Sequence, residues 1–240
     1  MVYKILLLMP LLLSSAYATF QPKTQELVIS QVVNNTATIN LGNLTIGQSG
    51  IIVHKFKDNK SIIISTAIVT STTNDKSIIA IETKNNILKQ DAIPTTNLKV
   101  QDKDIFVLNH LYSSSLLLVP NLEASQKVQE LYKNQNFINP DIFASYLKIN
   151  NKPIPNKKLI QSFCKEQDIG TIFVLTNNKL SILDINSLKV IYTKDLKILN
   201  NEFKSPFFTK VEDFNQNMWD FSDNKIKNFN KYYSKLLGLN

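Results

Sequence analysis

The sequence predicts an α+β fold: a small N-terminal β-barrel-like domain, then an α+β domain with a mainly antiparallel sheet, closed by a C-terminal helix. Two observations carry this reading. Up to about residue 108 the chain is a series of short runs rich in Ile, Val and Thr, each ended by turn residues. After about residue 112 the apolar spacing changes to helical stripes behind asparagine caps, and a second set of strand runs follows.

The barrel elements come first. Residues 27–33 form a β-rich run, Asn34-Asn35 tolerates positive φ, and residues 36–41 return, which is a hairpin pattern. Gly47-Gln48-Ser49-Gly50 opens the run 51–56, and Asp58-Asn59 turns the chain into 61–69. Residues 77–82 and 104–108 complete the set. Closing these strands on one another removes exposed edges, which matters for so β-prone a sequence. The more polar stretch 85–103, with Pro94 inside it, reads as a loop within the same domain.

Residues 116–119 then read as a buried strand stopped by Pro120. Asn121 caps a helix to about Lys133, with Leu122, Val128, Leu131 and Tyr132 as its apolar side. Asn139-Pro140-Asp141 is a strong helix start: a capping amide, a proline at the first position and an acid at the positive helix end. Ile142, Phe143, Tyr146 and Leu147 supply its stripe. Pro153 and Pro155 interrupt the pattern, and Asn156 caps a third helix through Leu159, Ile160, Phe163 and Cys164 to Gly170. Runs at 171–175, 180–185 and 188–192, joined by asparagine-rich turns, make a three-stranded meander, with the helices expected on one side of the sheet. Beyond residue 200, Phe207-Phe208 and Met218-Trp219 are expected to anchor the chain to the body. A final helix near 224–237 buries Ile226, Phe229, Tyr233 and Leu236/Leu237 and turns Lys227, Lys231 and Lys235 outward. The expected boundaries are 1–18, 19–112, 113–200 and 201–240.

Residues 1–18 read as a cleavable export signal. Lys4 is the positive start, residues 5–13 are apolar, and Ser14-Ser15-Ala16-Tyr17-Ala18 has small residues where an A-x-A site needs them, so cleavage is expected between Ala18 and Thr19. The apolar run is about half the roughly 20 residues a bilayer span requires. Removing the leader leaves 222 residues (240 minus 18) and no cysteine beside the cut for lipid attachment. Cys164 is the single cysteine, so no intrachain disulfide forms and stability must come from the core. Its place on an apolar helix stripe predicts a buried, inert thiol.

All 27 basic residues are lysine, and the formal charge is +8, or +7 without Lys4 (8 minus 1). Without arginine forks or a clustered basic stripe, and with an export signal, nucleic-acid binding is not expected. Catalytic parts are equally sparse. His54 and His110 are the two histidines, and neither has a partner at metal-ligand spacing. Gly47-Gln48-Ser49-Gly50 is one residue short of a nucleophile elbow and leads into a strand rather than a helix. The acid pairs Asp102/Asp104 and Glu212/Asp213 are close in sequence, but nothing sets them across a cleft. No catalytic, cofactor or metal site is therefore predicted; an enzyme would need a pocket converging on His54 or His110.

Four stretches carry a resemblance: GQSGIIVH (47–54), INPDIFASYLKIN (138–150), FCKEQDIGTIFV (163–174) and NKYYSKLLGL (230–239). Over about residues 24–239 and in the same order, they resemble the N-terminal domain of the plasminogen-binding protein PgbA family, envelope proteins of Helicobacter, Campylobacter and their relatives. The resemblance implies capture of host plasminogen, whose kringle domains recognise lysine. In the family this is associated with a lysine-rich C-terminal extension ending in lysine; the sequence here ends at Leu239-Asn240, so that motif is not expected to transfer. Internal substitutes would set a lysine one turn from a carboxylate, as with Lys127 and Glu130 or Lys227 and Asp223. Two functions follow as expectations. One is an exported, non-catalytic binding protein of the periplasm, cell surface or medium, with a protein partner and Lys227, Lys231 and Lys235 as the contact face. The other is a periplasmic structural or assembly factor that binds another envelope protein.

Overall fold

The computed structural model describes residues 20–58, 60–82, 98–200, 202–211 and 226–239. The expected leader with its Ala18/Thr19 junction, most of the 85–103 loop, the pair Glu212/Asp213, Asp223 and Met218-Trp219 lie outside the described residues.

Six strands, β1 (Gln25–Val33), β2 (Thr36–Ile39), β3 (Ser49–Lys55), β4 (Ser61–Thr72), β5 (Ser77–Ile81) and β6 (Ile105–Leu108), form the first unit. They pair antiparallel in the order β1-β2-β5-β4-β3-β6, and β6 returns to β1 to close the barrel. Alternation turns Ile29, Ile39, Ile52, Ala67, Val69, Ile79 and Phe106 into the interior, where each is at most 1% exposed. Closure requires bending. Register shifts occur in β1 between Ser30 and Val33, in β3 between Ile52 and Val53, and in the long β4 between Val69 and Ser71. Gly50 permits a tight seam: a Cβ there would lie 2.2 Å from the Val107 carbonyl oxygen and 2.7 Å from the Phe106 ring.

The second unit is a five-stranded sheet in the order β11-β10-β9-β7-β8, built from β7 (Ser114–Leu118), β8 (Asn136–Ile138), β9 (Thr171–Thr176), β10 (Lys179–Asp184) and β11 (Val190–Asp195). The meander β9-β10-β11 is antiparallel as expected. The other half is parallel, β7 with β9 and β7 with β8, so the sheet is mixed. Helical crossovers impose that direction, since α1 (Leu122–Leu131) joins β7 to β8, and α2 (Pro140–Ile149) with α3 (Lys157–Glu166) joins β8 to β9. Three residues of β8 are too few to show a period.

Helices cover both faces of this sheet, which corrects the expected one-sided arrangement. Strand alternation sends Leu116, Leu118, Ile172, Val174 and Leu183 toward α2, α3 and α4 (Phe229–Leu237), where Phe143, Leu147, Ile160, Phe163, Cys164 and Tyr233 meet them. Leu117, Val119, Phe173, Leu175 and Ile182 face the other way, against Ala124, Val128 and Tyr132 of α1 and its cap. The buried line of α1 is thus 124-128-132, and small Ala124 lets the helix approach. Leu122 and Leu131, expected on the apolar side, are 51% and 38% exposed. Among the described residues the four helices are capped by asparagine side chains, Asn121, Asn139, Asn156 and Asn228, and Gly238 ends α4 in a left-handed turn at φ 70. The segment after β11 packs back through Phe207, fully buried and stacked on Phe143 at 5.3 Å. Asp141 fixes it by accepting from Thr209 Oγ1 at 2.6 Å and the Lys210 N–H at 2.7 Å.

Candidate functional site

Three places concentrate polar chemistry, and burial separates their roles. The first lies where the barrel meets the sheet. Asp184, at the end of β10, is fully buried. Its Oδ2 accepts from the Tyr112 hydroxyl at 2.7 Å and from Ser49 Oγ, while its Oδ1 accepts from the Ser187 N–H at 2.6 Å. The Tyr112 oxygen in turn accepts from the Ser49 N–H at 3.0 Å, and Asn186 Nδ2 donates to Ser49 Oγ at 2.9 Å. Ser187 Oγ completes the bridge at the Gly47 carbonyl, 2.8 Å away. The Gly47-Gln48-Ser49-Gly50 motif is therefore the barrel's half of a welded joint. Burial holds the Asp184 carboxyl above its ordinary range, its hydrogen bonds opposing, and pushes the Tyr112 phenol well upward. Ser49, Tyr112 and Asp184 are each at most 1% exposed, so the centre of this network is closed to solvent, while Asn186 and Ser187 at its margin are half-buried.

The second place is the barrel rim. His54, at the end of β3, hydrogen-bonds through Nδ1 to Oδ1 of buried Asp104 at 2.7 Å, with Phe56 edge-on to its ring at 4.9 Å. Asp104 Oδ2 accepts the Gln101 N–H at 2.9 Å. Fifty positions separate this histidine from its carboxylate, and local spacing gives no sign of the pair. His110 is remote from it in role: burial lowers its pKa, partly offset by Asp168. Among the described residues, no group of three His, Cys, Asp or Glu side chains is placed to hold a metal ion. Two clefts of about 230 and 390 Å³ lie beside Phe20, and neither is lined by a histidine. Cys164 is buried, and burial pushes its thiol up, away from the reactive thiolate.

The third place is the outer face of α4. Asn228 starts the helix by accepting the Lys231 N–H at 2.9 Å, and Asn230 ties it to the β9–β10 turn by accepting the Asn177 N–H at 3.2 Å. Phe229, Tyr233 and Leu237 bury the inner side, and the Tyr233 hydroxyl donates to the Pro206 carbonyl at 2.9 Å. Lys231 and Lys235, one turn apart on the opposite side, are exposed, and Lys227 is exposed just before the cap. The lysine–acid mimic expected on α1 takes a different form. Lys127 turns back to Glu123 at 2.7 Å rather than forward to Glu130. The same Glu123 carboxylate accepts the N–H groups of Leu199 and Asn200, so it is committed to holding that segment. The Lys127 bond and then these N–H groups lower its pKa to about 2. Among the described residues, no helix is long and apolar enough to cross a membrane.

A family model described as plasminogen-binding protein pgbA N-terminal matches residues 24–237. Relatives include the plasminogen-binding protein PgbA of Helicobacter pylori strains J99 and 26695, each 24% identical over 198 residues, or 81% of this chain. The chain spans 43% of the length of those relatives. With the family match covering the barrel, the sheet and the four described helices, the chain belongs to the plasminogen-binding protein pgbA N-terminal family.

Proposed function

We propose that this chain is an exported, non-catalytic binding module of the bacterial envelope, and that it engages a protein partner through the lysines on the outer side of α4. The observation that carries the reading is the match to a family named for binding across residues 24–237. The α4 face supports it. Lys227, Lys231 and Lys235 are exposed beside a helix whose inner side is fully committed to the core. Host plasminogen is the partner we propose, after the relatives' name. A kringle takes a lysine ammonium between carboxylates and aromatic walls, and an exposed lysine pair on a rigid helix presents that group at little entropic cost.

The test is binding of the folded protein to immobilised plasminogen, with and without a saturating lysine analogue. Retention that the analogue abolishes, and that the Lys227→Ala/Lys231→Ala/Lys235→Ala variant loses about tenfold or more, supports the reading. Retention insensitive to the analogue would sink the lysine mechanism. Export is tested in the native host by fractionation and by sequencing the mature N-terminus, expected at Thr19; full-length protein in the cytosol rejects it.

A further inference from the structure

A second surface stands out on the α2–α3 connection. Between Asp141 and Glu166 the chain carries five lysines, Lys148, Lys152, Lys157, Lys158 and Lys165, and no acidic side chain. At the tip of this stretch Ile149 is 81% exposed, the highest value among the described large apolar side chains. On the outer side of α2, Ile142 is also 46% exposed. Lys152, Lys157 and Lys158 are exposed around the tip.

The tip is a built structure. Asn150 N–H and Asn150 Nδ2 both donate to the Tyr146 carbonyl, at 3.1 and 2.8 Å, and Lys152 N–H donates to the Leu147 carbonyl at 3.0 Å. Asn151 takes φ 52 to turn the chain outward. The loop's base is held by the Tyr232 hydroxyl, which donates to the Pro155 carbonyl at 2.5 Å, and by Ile154 packed on the core. An isoleucine is thus presented to solvent on fixed backbone, with the exposed Lys152, Lys157 and Lys158 following it in the loop and the start of α3.

We propose that this tip docks on an anionic lipid surface, the lysines lying at the phosphate level and Ile149 entering the headgroup–acyl boundary. Charge complementarity selects the occupant. Lysine is a hydrated point charge suited to a diffuse layer of phosphates, and a single protruding aliphatic chain has a place in a bilayer interface. The proposal uses the α2–α3 lysines rather than those of α4, to which Tyr232 ties the loop's base, and stands whether or not α4 binds a protein.

The test is co-sedimentation of the whole chain, without its leader, with vesicles of phosphatidylcholine alone or mixed with phosphatidylglycerol. Binding to the mixed vesicles that falls steeply between 0.05 and 0.5 M salt, with none to the neutral ones, is expected. The Lys152→Glu/Lys157→Glu variant should lose about twenty-fold or more in partition. A charge-matched control, Lys57→Glu/Lys76→Glu on the barrel, should lose only a few-fold from the change in overall charge. Ile149→Ser should lose about tenfold. Equal losses in the tip and barrel variants would make the attraction a property of net charge and overturn the proposal. A full effect of the lysine changes with none at Ile149 would identify the ligand as a dissolved polyanion and overturn it as well, as would absence of vesicle binding at low salt.

Discussion

Replacing Tyr112 with Phe deletes one oxygen from the joint between barrel and sheet, and the structure fixes what that oxygen does. It donates to Asp184 at 2.7 Å and accepts the Ser49 N–H at 3.0 Å, all three residues being at most 1% exposed. Its loss takes one of three donors from a buried carboxyl and orphans a buried backbone N–H. Either defect costs about 1–3 kcal/mol, and because both share one atom the sum is about 3 kcal/mol rather than the arithmetic total. For a chain of this size that lowers the Tm by roughly 6–12 °C. Urea denaturation followed by far-UV circular dichroism measures it. Tyr233→Phe is the comparison, since it removes a single bond to the Pro206 carbonyl and should cost about 1 kcal/mol. If Tyr112→Phe falls within about 0.5 kcal/mol of the parent, the joint does not bind barrel to sheet as argued.

Three further outcomes follow from burial and packing. The raised Asp184 pKa means the folded state holds that proton more tightly than the unfolded chain. Its stabilising contribution is therefore full below the unfolded value near 4 and is lost as pH rises through the folded value. The stability of Asp184→Asn minus that of the parent should accordingly increase from about pH 4 upward; a flat or falling difference refutes the assignment. Gly170→Ala would place a Cβ 2.5 Å from the Leu111 carbonyl carbon and oxygen, both backbone, so a loss of about 3 kcal/mol in urea midpoint measurements is expected. Cys164 should resist a thiol reagent in the native protein and react stoichiometrically once unfolded by urea; rapid native labelling would contradict its burial.

Local chemistry wrote much of this fold legibly. Asparagine caps at 121, 139 and 156 and the turns at Asn34-Asn35 and Asn177-Asn178 announce themselves, because capping and positive φ are properties of single residues. Strand partners are harder. That β7 runs parallel to β9 depends on which crossover packs where, and no feature within residues 114–118 reports it. The face chosen by α1 misled for a related reason: Leu122 and Leu131 are the larger apolar side chains, yet close approach to the sheet favours the line through Ala124. Polar sites showed the same limit. Ser49, Tyr112 and Asp184 are separated by 63 and 72 positions, and only the fold joins them. The lysine side of α4 could be read directly, because periodicity alone decides which residues of an amphipathic helix face water.

Closure of the barrel by β1 against β6 also sets the order in which this chain can become safe. A polypeptide emerging from its N-terminus exposes the outer edge of β1 until residues 105–108 arrive to complete the ring. During that interval both β1 and β3 offer unpaired backbone, and Val28 and Val33 add apolar surface beside the first of them. Fragments that stop short of residue 105 should therefore self-associate, and a delivery route that releases the chain slowly would need a holding factor until the sixth strand is out.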